Sequence, residues 1–524
     1  MTIKDIQTVY ARSPQVSALA KILEKNREKQ VFLEGLLASS TPLFFAGLAK
    51  KTNQVLLFVL QDVDEAGYFY HDLTQIMGET DVLYFPSSYR RAIKYAQKDP
   101  ASEISRTEAL TRFNAHISSS LYVVTYPEAL AEMVVTRKKL DDRTLSLEQG
   151  QSFRVEDITA KLIDFGFREV DYVYEPGQFA LRGSILDVFS FSHEFPYRLD
   201  FFGDEIDSIR TFEVENQLSR ERINRVDIVP EMQGEEEKES FFRFLPQQTV
   251  LVFKDYLYAR DAIDCIYQKG FSSQAKQERL ESATEMERQE IEREMRRENQ
   301  IITGVQFMND SEPFRRIEFG HRPSQMPKAV LKFNVSAQPL FHKNFDLLIN
   351  SFEDYLLKGY QLYILADSQK QNERLKDIFA EKAKDVQFTP VDRTLHDGFA
   401  DNDLRICLFT DHQIFDRFHK YNLKSDKARG GKVALTLKEI QQFEIGDYVV
   451  HVDHGIGKFG GLVRMPIPSA NGESQGAFQE MIKIQYQHGD AIYVSIHSLY
   501  KVSKYKSQEN GEPPRMSFLG TGQW

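Results

Sequence analysis

Residues 443–465 read FEIGDYVVHVDHGIGKFGGLVRM, and after a polar Gly/Ser/Asn loop residues 478–502 read FQEMIKIQYQHGDAIYVSIHSLYKV. Short β-rich runs alternate here with turn signals: Ile445-Gly446-Asp447, the Gly455-Ile456-Gly457 and Gly460-Gly461 steps, and His488-Gly489-Asp490 between two alternating strands. The spacing predicts a small, strongly bent antiparallel barrel of the SH3 or Tudor kind over residues 441–506, with glycines where strands turn corners. His451, Asp453 and His454 could ligate a metal by residue type. Neighbours 453 and 454 in an extended strand point to opposite faces, however, so no metal site is expected. Across residues 480–486 the period of two puts Ile482 and Ile484 on one face with Glu480 and Tyr486, and Met481, Lys483 and Gln485 on the other. Two placements of this strand are open. It is a core strand with both isoleucines inward, or an edge strand whose free N–H and C=O groups add to a strand of another protein.

Around this stretch lie 524 residues in all, too many for one hydrophobic core, and several domains are expected. No apolar run approaches the roughly 20 residues that cross a bilayer, and the opening MTIKDIQTVYARS lacks the apolar core of a signal peptide. Cys265 and Cys407 have no Cys or His ligand spacing around them, which fits reduced thiols in a cytoplasmic protein. A net charge of −11 argues against sequence-blind wrapping of DNA by the whole surface.

Residues 1–150 alternate apolar strands with helices, the pattern of a RecA-like parallel sheet covered by helices. A phosphate loop would sit at the first strand-to-helix turn. Laid on Gly35 to Pro42, the G-x-x-x-x-G-K-[ST] pattern keeps Gly35 only; Ser40, Thr41 and Pro42 replace the second glycine, the lysine and the metal-binding hydroxyl. A Cβ at position 40 restricts the backbone nest, no ammonium reaches the phosphates, and proline supplies neither a hydroxyl nor an N–H. What remains is a helix start, with Ser40 or Thr41 expected as cap and Pro42 at the first helical position. Asp204-Glu205 is the nearest imitation of a Walker B pair, and it reads as hairpin charge. No catalytic residue, cofactor or metal is expected in the chain. After the strand VLYFP, Ser87-Ser88-Tyr89-Arg90-Arg91 is a loop whose arginines either meet nucleic acid or are simply solvated.

Residues 151–230 are rich in β-branched and aromatic residues with turn signals every 8 to 12 positions, which predicts an inserted strand-rich α+β domain led by one helix. Arg168, Arg182, Arg198 and Arg210 alternate with Phe179, Phe189 and Phe202. That is either a protein-contact surface or a sandwich core with exposed arginines. Residues 231–330 return to strand-then-helix rhythm and complete the first domain, with a charged, solvated helix at 272–300. A second small α/β domain follows at 331–422, then a basic linker at 423–440 containing Lys424, Lys427, Arg429 and Lys432.

Three stretches resemble one family. GDYVVHVDHGIGKFGGL with EMIKIQYQHGDAIYV is similar to the RNA-polymerase-interacting module of bacterial transcription-repair coupling factors (Mfd), a module with relatives among CarD-type regulators. REVDYVYEPGQFALRGSILDVF and YRLDFFGDEIDSIRTF resemble the UvrB domain that docks on UvrA. The first domain, with its emptied phosphate loop, resembles UvrB stripped of ATP chemistry. The resemblance implies a recruiting, non-catalytic, monomeric N-terminal part. It would bind UvrA through Arg168, Arg182 and Phe189, and the β subunit of RNA polymerase through a strand edge at Ile482, Lys483 and Ile484. Double-stranded DNA, ATP and magnesium belong to a translocase motor whose linker would begin near residues 507–524. The rival expectations are a divergent P-loop ATPase or helicase, and a CarD-type polymerase regulator.

Overall fold

The runs QVFLE, VLLFV, VLY, LYVVT and VLVF are apolar on both faces, as strands of a parallel sheet covered on both sides must be. They assemble into a seven-stranded sheet in the order Ala329–Lys332, Gln30–Glu34, Arg315–Gly320, Val250–Phe253, Val55–Val59, Leu121–Thr125, Val82–Tyr84, with parallel pairing throughout. The helix Ser40–Ala49 is apolar on every side and buried from Ser40 to Leu48. A helix without a polar face belongs inside, and this one is covered by the helices Ile3–Ala11 and Pro14–Lys25. In this computed structural model the described residues are 2–25, 29–88, 100–115, 117, 119–214, 217–232, 237–270, 301–382, 386–417, 419, 421, 445–451, 454–466, 478–487, 490–495 and 502–504. The charged stretch 272–300, the linker 423–440, the segment 507–524, Tyr89-Arg90-Arg91 and Asp453 lie outside them. The architecture is mixed α/β, and the chain divides into two units: Met1–Leu145 with Asp227–Leu423, and Ser146–Val226 with Lys424–Trp524.

A second sheet belongs to the first unit, in the order Val335–Ala337, Phe399–Asp401, Ile406–Thr410, Gln361–Leu365, Thr389–Val391. Alternation along its strands gives it two apolar faces. Leu362, Ile364, Cys407 and Phe409 pack on Leu348, Phe352, Leu375 and Phe379 from its own helices. Tyr363, Leu365, Ile406 and Leu408 face the other way, into the same core as Phe44 and Phe58 of the seven-stranded sheet. The two modules of this unit therefore share one core.

In the second unit, residues 146–226 form a six-stranded sheet in the order Ser219–Ile223, Glu205–Phe212, Tyr197–Phe202, Ile185–Val188, Gln178–Arg182, Arg168–Glu169. Its pairs are antiparallel except the last. Phe202 pairs with Glu205 across a two-residue turn in which Gly203 has φ +62°, so Asp204-Glu205 is a hairpin tip. The C-terminal stretch forms a five-stranded antiparallel sheet in the order Ala491–Ser495, Phe478–Gln485, Gly455–Pro466, Tyr448–His451, Val502–Lys504. A register shift between Phe459 and Leu462 falls on Gly460-Gly461, where Gly461 has φ +95°. The strand Phe478–Gln485 lies inside this sheet, bonded to Lys458–Pro466 on one side and to Ala491–Ser495 on the other. Its expected place at the edge is held instead by Ala491–Ser495, because the chain returns after residue 490 and pairs against its free side.

Candidate docking surfaces and a filled phosphate loop

Gly35 sits at φ +95°, and a Cβ on it would lie 2.2 Å from the carbonyl oxygen of Phe333. The Phe333 N–H donates to the Glu34 carbonyl at 2.9 Å, so the chain leading to the small module lies directly on the loop. The helix begins at Ser40, which puts Pro42 at its third position and the cap on Ser39, ahead of both residues expected there, and Ser39 holds that position without capping. Its hydroxyl is used elsewhere. Ser39 Oγ donates to Asp72 Oδ2 at 2.5 Å and accepts the Asp397 N–H at 2.9 Å. The Ser39 N–H donates to the Asp397 carbonyl at 3.3 Å, and Asp72 Oδ1 accepts the His396 N–H at 2.8 Å. Burial pushes the Asp72 carboxyl up to about 7, against the hydrogen bonds from Ser39 and His396 that favour its charged form. A helix start favours an anion. Here residues 396–397 of the small module supply a carbonyl in that place, and Ser40, Thr41 and Pro42 are all buried.

Sheet order reveals an acid that the linear pattern hid. Glu318 pairs in register with Phe32, which puts a carboxylate, the group that holds the metal in P-loop enzymes, on the strand beside the loop strand. Its oxygens are committed: they accept from Ser324 N and Oγ at 2.8 and 2.6 Å and pair with Arg316 Nε at 2.9 Å. The only signal for Glu318 in the sequence was an acid in RRIEFG, a short strand of mixed polarity almost 300 residues away from the loop. Among the described residues no group of three His, Cys, Asp or Glu is arranged to hold a metal ion. His451 and His454 stack with ring centroids 4.8 Å apart.

At one corner of the six-stranded sheet, Arg168 stands exposed with Glu175 at 3.9 Å. Arg182 lies over the ring of Tyr172 at 4.6 Å and donates to the Asp171 carbonyl at 2.8 Å. Its other end pairs with Asp187, a fully buried carboxylate that also accepts from Arg198 Nε and Nη2 at 2.7 and 2.9 Å. Arg182 is thus partly a structural counter-ion. Phe189 is only 4% exposed, inside a cluster with Val173, Ala180 and Phe212, and offers no side-chain surface to a partner. The reason is that the 170–175 segment folds over the sheet and covers it, leaving Tyr172 and Tyr174 about half exposed in its place. Composition could not distinguish a phenylalanine beneath that loop from one above it.

In the five-stranded sheet, Ile482 and Ile484 are fully buried with Val449, Phe459, Tyr486, Val494 and Val502, so their side chains form the core and not a contact face. Lys483 points the other way, half-buried, its stem 3.1 Å from where a Cβ on Gly460 would be. It pairs in register with Tyr493 on the neighbouring edge strand, and Tyr493, Leu462 and Ile445 are exposed.

Two family models match stretches of this chain. Residues 145–233 match the UvrB interaction domain and residues 443–506 the CarD-like/TRCF RID domain. Over nearly its whole length it is also similar to proteins named transcription-repair-coupling factor. It is 21% identical to that of Bacillus subtilis over 99% of this chain and 48% of the relative, 22% identical to that of Staphylococcus haemolyticus over 95% and 47%, and 23% identical to that of Staphylococcus aureus over 95% and 47%. The chain spans about half the length of the curated relatives it matches, and these findings fit the N-terminal part of a transcription-repair-coupling factor. No described helix is long and apolar enough to cross a membrane.

Proposed function

We propose that this chain is the recruiting half of a transcription-repair coupling factor, a cytoplasmic protein that binds partners and turns over nothing by itself. The seven-stranded module is then a RecA-like, UvrB-type domain whose nucleotide site has been given over to contacts with the chain's own small module. The six-stranded sheet would dock UvrA at the corner of Arg168, Tyr172, Tyr174 and Arg182, where exposed aromatics and forked cations suit a protein partner. The SH3- or Tudor-like barrel would bind the β subunit of RNA polymerase along the Ala491–Ser495 edge, with Tyr493 as anchor and Lys483 beside it. ATP, magnesium and double-stranded DNA would be handled by motor domains that the family carries elsewhere.

The observation that carries this reading is the occupied loop: Ser39 and Asp72 spend their hydrogen bonds on residues 396–397. Size-exclusion chromatography with UvrA and with polymerase, run separately, should give two complexes. Phosphate release with double-stranded DNA present should stay at background, and Thr41→Lys should leave it there. Hydrolysis by the purified chain, or failure to form either complex, would overturn the reading. Arg168→Ala is the cleaner probe of the UvrA corner, since its side chain is exposed, and a weakening of about 1–3 kcal/mol is expected for an interface anchor.

A further inference from the structure

The contact between the small module and the helix Val63–Met77 holds an unusual concentration of imidazoles. His71 comes from that helix, His396 from the loop that fills Ser39, His412 from the short helix Asp411–Ile414, and His419 from the segment beyond it. His412 and His419 stack at 4.5 Å with planes 17° apart, and His71 lies 5.4 Å from His419. His396 stacks on Tyr68 at 3.5 Å, and its carbonyl accepts from His412 Nε2 at 2.8 Å. Tyr68 in turn donates to the His419 carbonyl at 2.9 Å. Gly67 makes room for this arrangement, since a Cβ there would strike the ring of Tyr421 at 2.5 Å. One buried ring nitrogen on each histidine has no hydrogen-bond partner: His71 Nε2 and the Nδ1 atoms of His396, His412 and His419.

We propose that this seam is a proton-operated clasp, in which four neutral imidazoles hold the small module on the Val63–Met77 helix and acid loosens it by charging them. Stacked rings at van der Waals distance accommodate two neutral imidazoles but set two cations against each other. The buried nitrogens would receive protons with no hydrogen-bond acceptor set for them, Asp411 Oδ1 standing 3.9 Å from His412 Nδ1. Burial, followed by the neighbouring imidazoles, brings His71 down to about 4. Burial likewise takes His412 to about 4, and lowers His396 and His419. A histidine whose folded value lies below its ordinary 6.5 stabilises the contact above that pH and loses the contribution as pH falls toward 4.

The other charged groups facing the seam are Asp64, Asp72, Asp367, Asp397, Asp411 and Arg417. Asp367 and Asp397 oppose the fall in the histidine values, and Arg417 adds to it at His412. Asp72 and Asp411 are raised, chiefly by burial, so acid relieves them and offsets part of the loss. Four imidazoles outweigh these two carboxyls, and the net direction is opening in acid.

Hydrogen exchange of the whole chain, corrected for intrinsic rates, tests the clasp between about pH 7.5 and about pH 5. Amides of Ser39, His396 and Asp397 should lose protection about tenfold or more, while the strands Val55–Val59 and Leu121–Thr125 keep theirs. The double variant His71→Gln with His412→Gln should lose most of that response. Seam amides that follow the core strands at every pH, or a double variant responding like the parent, would overturn the proposal. Should the double variant not fold, the parent's imidazole proton resonances decide it. Four of the 12 histidines must titrate well below the ordinary range, and a uniform titration near about 6.5 overturns it.

Discussion

Asp72 shows how one residue can be read for both stability and pH. Its carboxyl is almost fully buried, holds two donors, and is raised to about 7 from an ordinary value near 3.8. A folded value above the unfolded one means that its contribution is present at low pH and is lost as pH rises through 7, because the folded state must then bury a charge. Asp72 therefore contributes a fall on the order of 1 kcal/mol between about pH 6 and about pH 8, set against the larger rise that the lowered histidines give, so denaturant midpoints should climb more steeply with pH in Asp72→Asn than in the parent. Unchanged pH dependence in Asp72→Asn would remove Asp72 as the titrating group. Gly35 is a steric case. An alanine there is strained at φ +95° and its Cβ collides with the Phe333 carbonyl at 2.2 Å, so Gly35→Ala should cost about 3 kcal/mol or more in urea unfolding. A loss below roughly 1 kcal/mol would mean the Phe333 chain can move away. Nothing in the local sequence announces either constraint. The loss of the lysine and second glycine was legible at positions 40–42; what filled the gap comes from residues 333 and 396–397, which only tertiary packing brings to the loop.

At the scale of elements, alternation told which side chains of residues 480–486 share a face, and Ile482, Ile484 and Tyr486 do lie together in the core. Alternation says nothing about which strand ends a sheet. That depends on whether a later segment pairs against the free side, as Ala491–Ser495 does. Mutations in this strand therefore act on stability. Ile484→Ala should cost this sheet about 2–4 kcal/mol of stability, and Ile482→Arg, which buries a cation among Val449, Phe459 and Val494, should unfold it outright. Tyr493→Glu changes the exposed edge instead. On the proposed function, polymerase recovery should drop while the sheet's melting temperature stays within a few degrees, and a folded Tyr493→Glu chain that still captures polymerase fully would exclude this edge as the contact. The same reasoning covers Phe189. Its place in a β-rich, arginine-dotted run was legible, but the 170–175 segment that buries it could not be positioned from the run itself.

At the scale of the molecule, the order of the seven-stranded sheet explains how a whole module can be inserted without disturbing its host. Strands from residues 30–125 and from residues 250–332 interleave in one parallel sheet, so the host is completed only after the insert has been passed. Such a sheet is rich in contacts between residues far apart in the chain and should fold slowly. The insert has the opposite character. Its hairpins pair neighbours in sequence, and its ends meet, with the Gln149 N–H donating to the Asn224 carbonyl at 2.8 Å. A module with adjacent ends and a cluster of its own in Val173, Ala180, Phe189 and Phe212 need not rely on its host to fold. Residues 145–228 expressed alone should therefore unfold in one cooperative transition and retain UvrA capture. The remaining chain, closed with a short glycine linker in place of the insert, should lose UvrA and keep polymerase. If the isolated module melts without cooperativity, it takes part of its stability from the host. If it folds but no longer binds UvrA, the corner formed by Arg168, Tyr172, Tyr174 and Arg182 is at most part of the docking surface, and the missing contacts must come from the rest of the chain.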